Sequence, residues 1–160
     1  MKETKEFDME GFTISMAFMD LIPVLFFSIG AVILAIRLKS TTFMIAMILV
    51  AAAGLIKVSW KFVLALFKKD VRILNKQMRF VMPAGFILAI IALIIDHDKC
   101  YLLKYLIQFP SLIFVIFGCL GIAYMVWFLK HEDSKDPKAN WKEQTVNSIA
   151  QFFFMLAVIF

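Results

Sequence analysis

Two lysines one helical turn apart, Lys57 and Lys61, sit in the stretch IKVSWKFVLAL (56–66), and an aspartate, Asp20, opens an earlier apolar run, DLIPVLFF (20–27). A charged group near hydrocarbon costs about 2.5 to 3.5 kcal/mol on insertion scales, so such residues pair, face a polar interior or serve a function. One chemistry these types suit is an anion site for a lipid headgroup, a phosphate or a carboxylate, lined by Lys57 and Lys61, tuned by Asp20 and flanked by Trp60. A second is plain anchoring, with the long lysine stems reaching toward headgroups. A third is an amine nucleophile activated by desolvation, for which no other residue here offers support.

Asp20 and the lysines belong to neighbouring apolar runs. If these form an antiparallel hairpin turning at about residues 38–41, positions whose numbers sum to about 79 share a depth. Asp20 then lies level with Ser59, midway between Lys57 and Lys61, where one carboxylate would offset part of the cost of two amines.

Composition shows why a bilayer is expected around them. Hydrophobic residues make up 62% of the 160 and charged residues 18%, against about 45–50% apolar in ordinary soluble domains. A water-soluble fold of this size cannot hide so much apolar surface. The net charge of +5 would suit nucleic acid in a soluble chain, but excess Lys and Arg is ordinary in cytoplasmic loops, so no nucleic-acid partner is expected. Cys100 and Cys119 form neither a CxxC nor a zinc pattern. No cleavable leader is expected, because no small-residue cleavage site follows the first run.

Five apolar runs approach the ~20 residues a crossing needs: 16–36, 41–67, 80–95, 109–129 and 143–160. The expected fold is an all-α, polytopic transmembrane helical bundle of about five spans in a single integral membrane domain. A chain ending at Phe160 inside an apolar run should carry its carboxylate to the far interface, or else continue in the natural protein. Basic residues set the sidedness. Lys2, Lys5, Lys68, Lys69, Arg72, Lys76, Arg79, Lys130, Lys135, Lys138 and Lys142 fall on one side, and Arg37, Lys39, Lys99 and Lys104 on the other. This asymmetry predicts a cytoplasmic N-terminus. Small residues four apart, Ala31/Ala35, Gly85/Ala89 and Cys119/Ala123, mark candidate packing faces.

At 100° per residue, Lys57, Lys61, Lys68, Arg72, Lys76 and Arg79 share about a 100° sector of one helix, opposite Trp60, Val63, Phe67, Val71, Leu74 and Met78. The second span is therefore predicted to continue as a basic amphipathic helix. Its Lys68, Arg72, Lys76 and Arg79 would contact anionic headgroups at about 1 kcal/mol each.

Other polar groups point to less. DHDKC (96–100) and HED (131–133) fall on opposite sides and each holds too few spaced ligands, so neither a metal nor a cofactor is expected. Asp96 and His97 lack a positioned nucleophile, and the two histidines sit at span ends, which argues against a two-His heme. Ser28, Ser59, Tyr124, Asn147, Ser148 and Gln151 read as hydrogen-bonding groups between helices.

DLIPVLFF together with GLIKVSWKFVLAL (54–66), a G-x-x-K-x-x-W-K pattern closing the second span, resembles small multi-span membrane proteins of Gram-positive anaerobic bacteria. The resemblance implies a bacterial plasma-membrane setting, marks Asp20, Lys57, Trp60 and Lys61, and implies no activity. The expected function is that of an integral membrane protein binding or passing a small anionic or amphiphilic ligand. The rival is a structural or regulatory subunit whose basic helix docks a partner protein or anionic lipid, and a membrane-embedded enzyme is a third reading. Expected partners are membrane lipids and further subunits in a homo- or hetero-oligomer. Replacing Lys57 and Lys61 together by Met should abolish binding and spare the fold.

Overall fold

The computed structural model describes residues 13–131 and 137–160. Lys2, Lys5, Glu132, Asp133 and Lys135, and the side chain of Lys138, lie outside the described residues. Among the described residues every regular element is helical: α1 Ile14–Leu38, α2 Thr41–Phe67, α3 Arg72–Lys76, α4 Met78–Ile95, a 3-10 helix His97–Ile107, α5 Ser111–His131 and α6 Pro137–Ile159. Local chemistry sets the ends. Thr13 caps α1 by accepting from the Met16 amide, and Ser40 caps α2 by accepting from the Phe43 amide at 3.1 Å, each satisfying an orphan donor of a first turn. Between the two helices Lys39 adopts the left-handed conformation at φ 54°, which reverses the chain in two residues.

Four helical segments are long and apolar enough to cross a membrane: Ile14–Leu38, Thr41–Phe67, Arg72–Ile95 and Ser111–Phe128. At 1.5 Å per residue the 25 residues of α1 span about 37 Å, more than the ~30 Å hydrocarbon core. α6 has 23 residues, but its first half, PKANWKEQTVN, is polar. It is nevertheless packed along its length. Its beginning meets α2 where Lys61 reaches Asn140, its middle meets α1 where Gly30 faces Met155, and its end meets α1 where Arg37 Nη2 donates to the Ile159 carbonyl at 2.7 Å. α6 therefore runs parallel to α1.

The helices form an open array in the order α4, α2, α1, α6, α5, each packed on its neighbours. One core cluster fills the seam of α1, α2 and α4 with Ala31, Ala35, Ala46, Ala89 and Ala92 around Leu38, Phe43, Met47 and Val50. Small side chains let these backbones approach, the usual device where lipid removes any hydrophobic drive between helices. Of the small-residue pairs, Ala31/Ala35 and Gly85/Ala89 are buried, whereas Cys119 and Ala123 are exposed. On α5 the packing glycines are instead Gly118, against Phe154, and Gly121, against Ala150.

The predicted single helix through residue 79 does not form. α2 stops at Phe67 because Lys68 takes the left-handed conformation at φ 51°, its amide bonding the Leu64 carbonyl. Burial drives the break. A continuous helix would carry Val71 and Leu74 onward away from Met16, whereas the turn folds both back against a second cluster of Met16, Trp60 and Leu64. Two polar contacts fix the return: Trp60 Nε1 donates to Asp70 Oδ1 at 3.0 Å, and Gln77 Nε2 donates to the Ala53 carbonyl at 2.9 Å.

Candidate functional site

Asp20 lies in the second turn of α1, and Lys61 lies two turns from the end of α2. They form a direct ion pair, each 4% exposed. The partner is thus Lys61 alone, about half a turn past the Ser59 level the hairpin arithmetic gives, and its amine does not reach for headgroups. Nζ also donates to Asn140 Oδ1 at 3.2 Å, so α6 supplies a third polar group. Desolvating two charges is costly, and mutual attraction offsets it only with added hydrogen bonds. Here the network is incomplete: Asp20 Oδ1 is buried and accepts no hydrogen bond.

Lys57, one turn earlier on α2, is placed differently. It is half-buried and has no direct hydrogen bond or ion pair among the described residues, yet it lies close enough to act electrostatically on Asp20 and Glu143. Lys57 and Asp20 both line a cavity of about 280 Å³. Glu143, Gln144, Asn147 and Gln151 of α6 extend its polar side, while Met78, Met82 and Phe86 of α4 and Ile122 and Met125 of α5 form an apolar side. All five long helices contribute lining residues, and neither Lys61 nor Trp60 is among them.

Sequence reasoning treated Asn147 and Gln151 as scattered groups and missed Asn140, Glu143 and Gln144. A signal was available: Asn140, Gln144, Asn147 and Gln151 recur at i, i+4, i+7 and i+11, a single stripe of a helix. Asn140 and Gln144 are buried. The hydroxyls, by contrast, are used locally. Ser28, Ser59 and Ser148 each donate to the carbonyl four residues earlier.

Trp60 is buried in the second cluster and borders a different hollow, of about 250 Å³, with Asp70, Arg72, Asn75, Lys76 and Arg79. Arg72 Nε binds Asp70 Oδ2 at 3.0 Å. Three of the four residues expected at anionic headgroups, Arg72, Lys76 and Arg79, thus gather at one place, and Lys68 caps α2 apart from them.

At the opposite end, Ser40 Oγ donates to Asp96 Oδ2 at 2.5 Å and Lys99 Nζ pairs with Asp96 Oδ1 at 2.6 Å. The hydrogen bond from Lys99, then that from Ser40, holds the Asp96 carboxyl below its ordinary 3.8, and the same contact raises Lys99 above its ordinary 10.5. Asp96 is therefore a fastener between α2 and α4, and His97 beside it is exposed. Among the described residues no group of three or more His, Cys, Asp or Glu could hold a metal ion.

By length and composition of its helices the chain is compatible with a multi-pass membrane protein, and the cavity lined by Lys57 and Asp20 lies among them. Comparison with known proteins gives no matching family model, no similar curated protein and no similar solved structure.

Proposed function

We propose that this is a five-span membrane protein that binds or passes a small anionic or amphiphilic ligand in the cavity beside Lys57. The observation that supports this reading is the cavity's division: an ammonium without a direct partner and a buried carboxylate on one side, methionine, phenylalanine and isoleucine on the other. Ligand sites are concave, mostly apolar and supplied with a few convergent polar groups. In this reading α6 is the fifth span, the end bearing Arg72, Lys76 and Arg79 faces the cytoplasm of a bacterial cell, and lipids are its nearest partners. Asp20 and Lys61 position the wall, and Lys57 touches the ligand.

The test is native mass spectrometry of the chain purified in mild detergent. A co-purifying small molecule is expected with the wild type and with Lys69→Met, and is expected to be lost with Lys57→Met at unchanged thermal stability. Retention in Lys57→Met would overturn the reading.

A second reading rests on the hollow bordered by Arg72, Lys76 and Arg79: a structural or regulatory subunit that docks a partner protein or anionic lipid there. Each basic residue near an anionic surface contributes about 1 kcal/mol. Under this reading Arg72→Gln with Lys76→Gln weakens docking and Lys57→Met does not.

A further inference from the structure

We infer that the ligand of the Lys57 cavity is a zwitterionic amphiphile, an acyl chain carrying a phosphate with an adjacent primary ammonium, and that it enters sideways from the bilayer between α4 and α5. The inference rests on the binding reading above and adds the ligand's class and its route.

Charge comes first. Among the described residues three ionisable groups line the cavity: Lys57, Asp20 and Glu143. Lys61 lies behind Asp20 and is already committed to it and to Asn140. A ligand with a negative group alone would meet Lys57 but set that charge beside two carboxylates. A ligand with a positive group alone would leave Lys57 without an anion. A headgroup bearing both satisfies each, with phosphate at Lys57 and ammonium toward Asp20 and Glu143. The orphan acceptor decides the kind of cation. Asp20 Oδ1 is buried without a hydrogen-bond donor, and leaving such an atom unsatisfied costs about 1 to 3 kcal/mol or more for a charged group. A primary ammonium has three N–H donors to offer it. A quaternary ammonium has none.

Size and shape supply the chain. At roughly 30 Å³ per water in the liquid, 280 Å³ corresponds to about nine waters. That accommodates a headgroup and the first carbons of a chain, but not two acyl tails. The remainder must leave through an apolar exit. Among the described residues α4 packs on α2 and α5 packs on α6, and no extended packing joins α4 to α5. The cavity residues on either side of that gap are Met82 and Phe86 on α4 and Ile122 and Met125 on α5. Methionine suits a variable chain because its thioether stem adapts to irregular shapes.

The experiment uses the full chain in nanodiscs and three probes: lysophosphatidylethanolamine, lysophosphatidic acid of the same chain length, and free phosphoethanolamine. Lysophosphatidylethanolamine is expected to bind about tenfold more tightly than either other probe, the equivalent of one added charge-assisted hydrogen bond or of chain burial. Glu143→Gln should reduce that preference over lysophosphatidic acid, and Met82→Trp, which fills the gap, should weaken both lysolipids. If lysophosphatidic acid binds as well as the zwitterion, with Lys57→Met abolishing both, the zwitterion inference falls and the binding reading survives. If phosphoethanolamine binds as tightly as its lysolipid, the lateral route falls. If no probe binds, or Lys57→Met changes nothing, both fall together.

Discussion

Lys57 and Lys61 are chemically identical and one turn apart, yet their surroundings assign them different work. Lys61 neutralises Asp20 inside the bundle, so replacing it alone strands a buried carboxylate. Removing one member of such a pair costs about 3 to 5 kcal/mol, whereas replacing both by apolar groups is close to neutral or stabilising. Lys61→Met should therefore unfold at markedly lower denaturant than wild type in detergent, and Lys61→Met with Asp20→Leu should recover most of the loss. Equal stability of the single and double variants would contradict the pairing. The geometry separates the two lysines expected to be removable together: Lys57→Met is expected to leave folding unchanged, and Lys61→Met is expected to destabilise it. Asp96 gives a second residue-scale outcome. Its folded carboxyl titrates below its ordinary 3.8, so its contribution is present above that pH and is lost as pH falls through the lower folded value. Thermal melts between pH 6 and pH 2 should show the wild type losing more stability below about 3.8 than Asp96→Asn does.

At the scale of elements, close approach carries the packing. A methyl group on Gly85 would lie 2.5 Å from Val50 Cγ2 and 3.3 Å from the Ala46 carbonyl oxygen, so the α4 backbone sits directly on α2. Gly85→Ala should cost about 1 to 3 kcal/mol, the usual cost of overpacking, measured as a fall in unfolding midpoint. The end of α2 shows what the sequence pattern left undecided. A basic stripe with a clean apolar opposite face is equally consistent with a straight helix and with a helix that turns back, because the stripe does not encode what the apolar face will meet. The Met16, Trp60 and Leu64 cluster offered Val71 and Leu74 a buried place, and Asp70 offered the Trp60 indole an acceptor. Burial and a satisfied donor outweighed helix continuity.

For the whole molecule, the arrangement of helices turns polar groups scattered between Asp20 and Gln151 into one cavity wall. Apolar run lengths gave nearly correct helix boundaries for α1, α2, α4 and α5, since hydrocarbon thickness fixes the length of any segment that crosses it. The parallel course of α1 and α6 makes the proposed fifth crossing testable. Single cysteines at Thr13 and Ile159, placed in a chain with Cys100→Ser and Cys119→Ser, should react with a membrane-impermeant maleimide from opposite faces of sealed vesicles. Labelling of both from one face would remove α6 as a span. The all-helical, apolar character of this protein, and the need for Asp20 to find a cation, were determined by the sequence, because bilayer length and charge desolvation act on each segment separately. Which lysine Asp20 takes, where α2 ends and which face of α6 joins the cavity were decided by tertiary packing. Those outcomes depend on contacts between distant segments, which no local pattern contains.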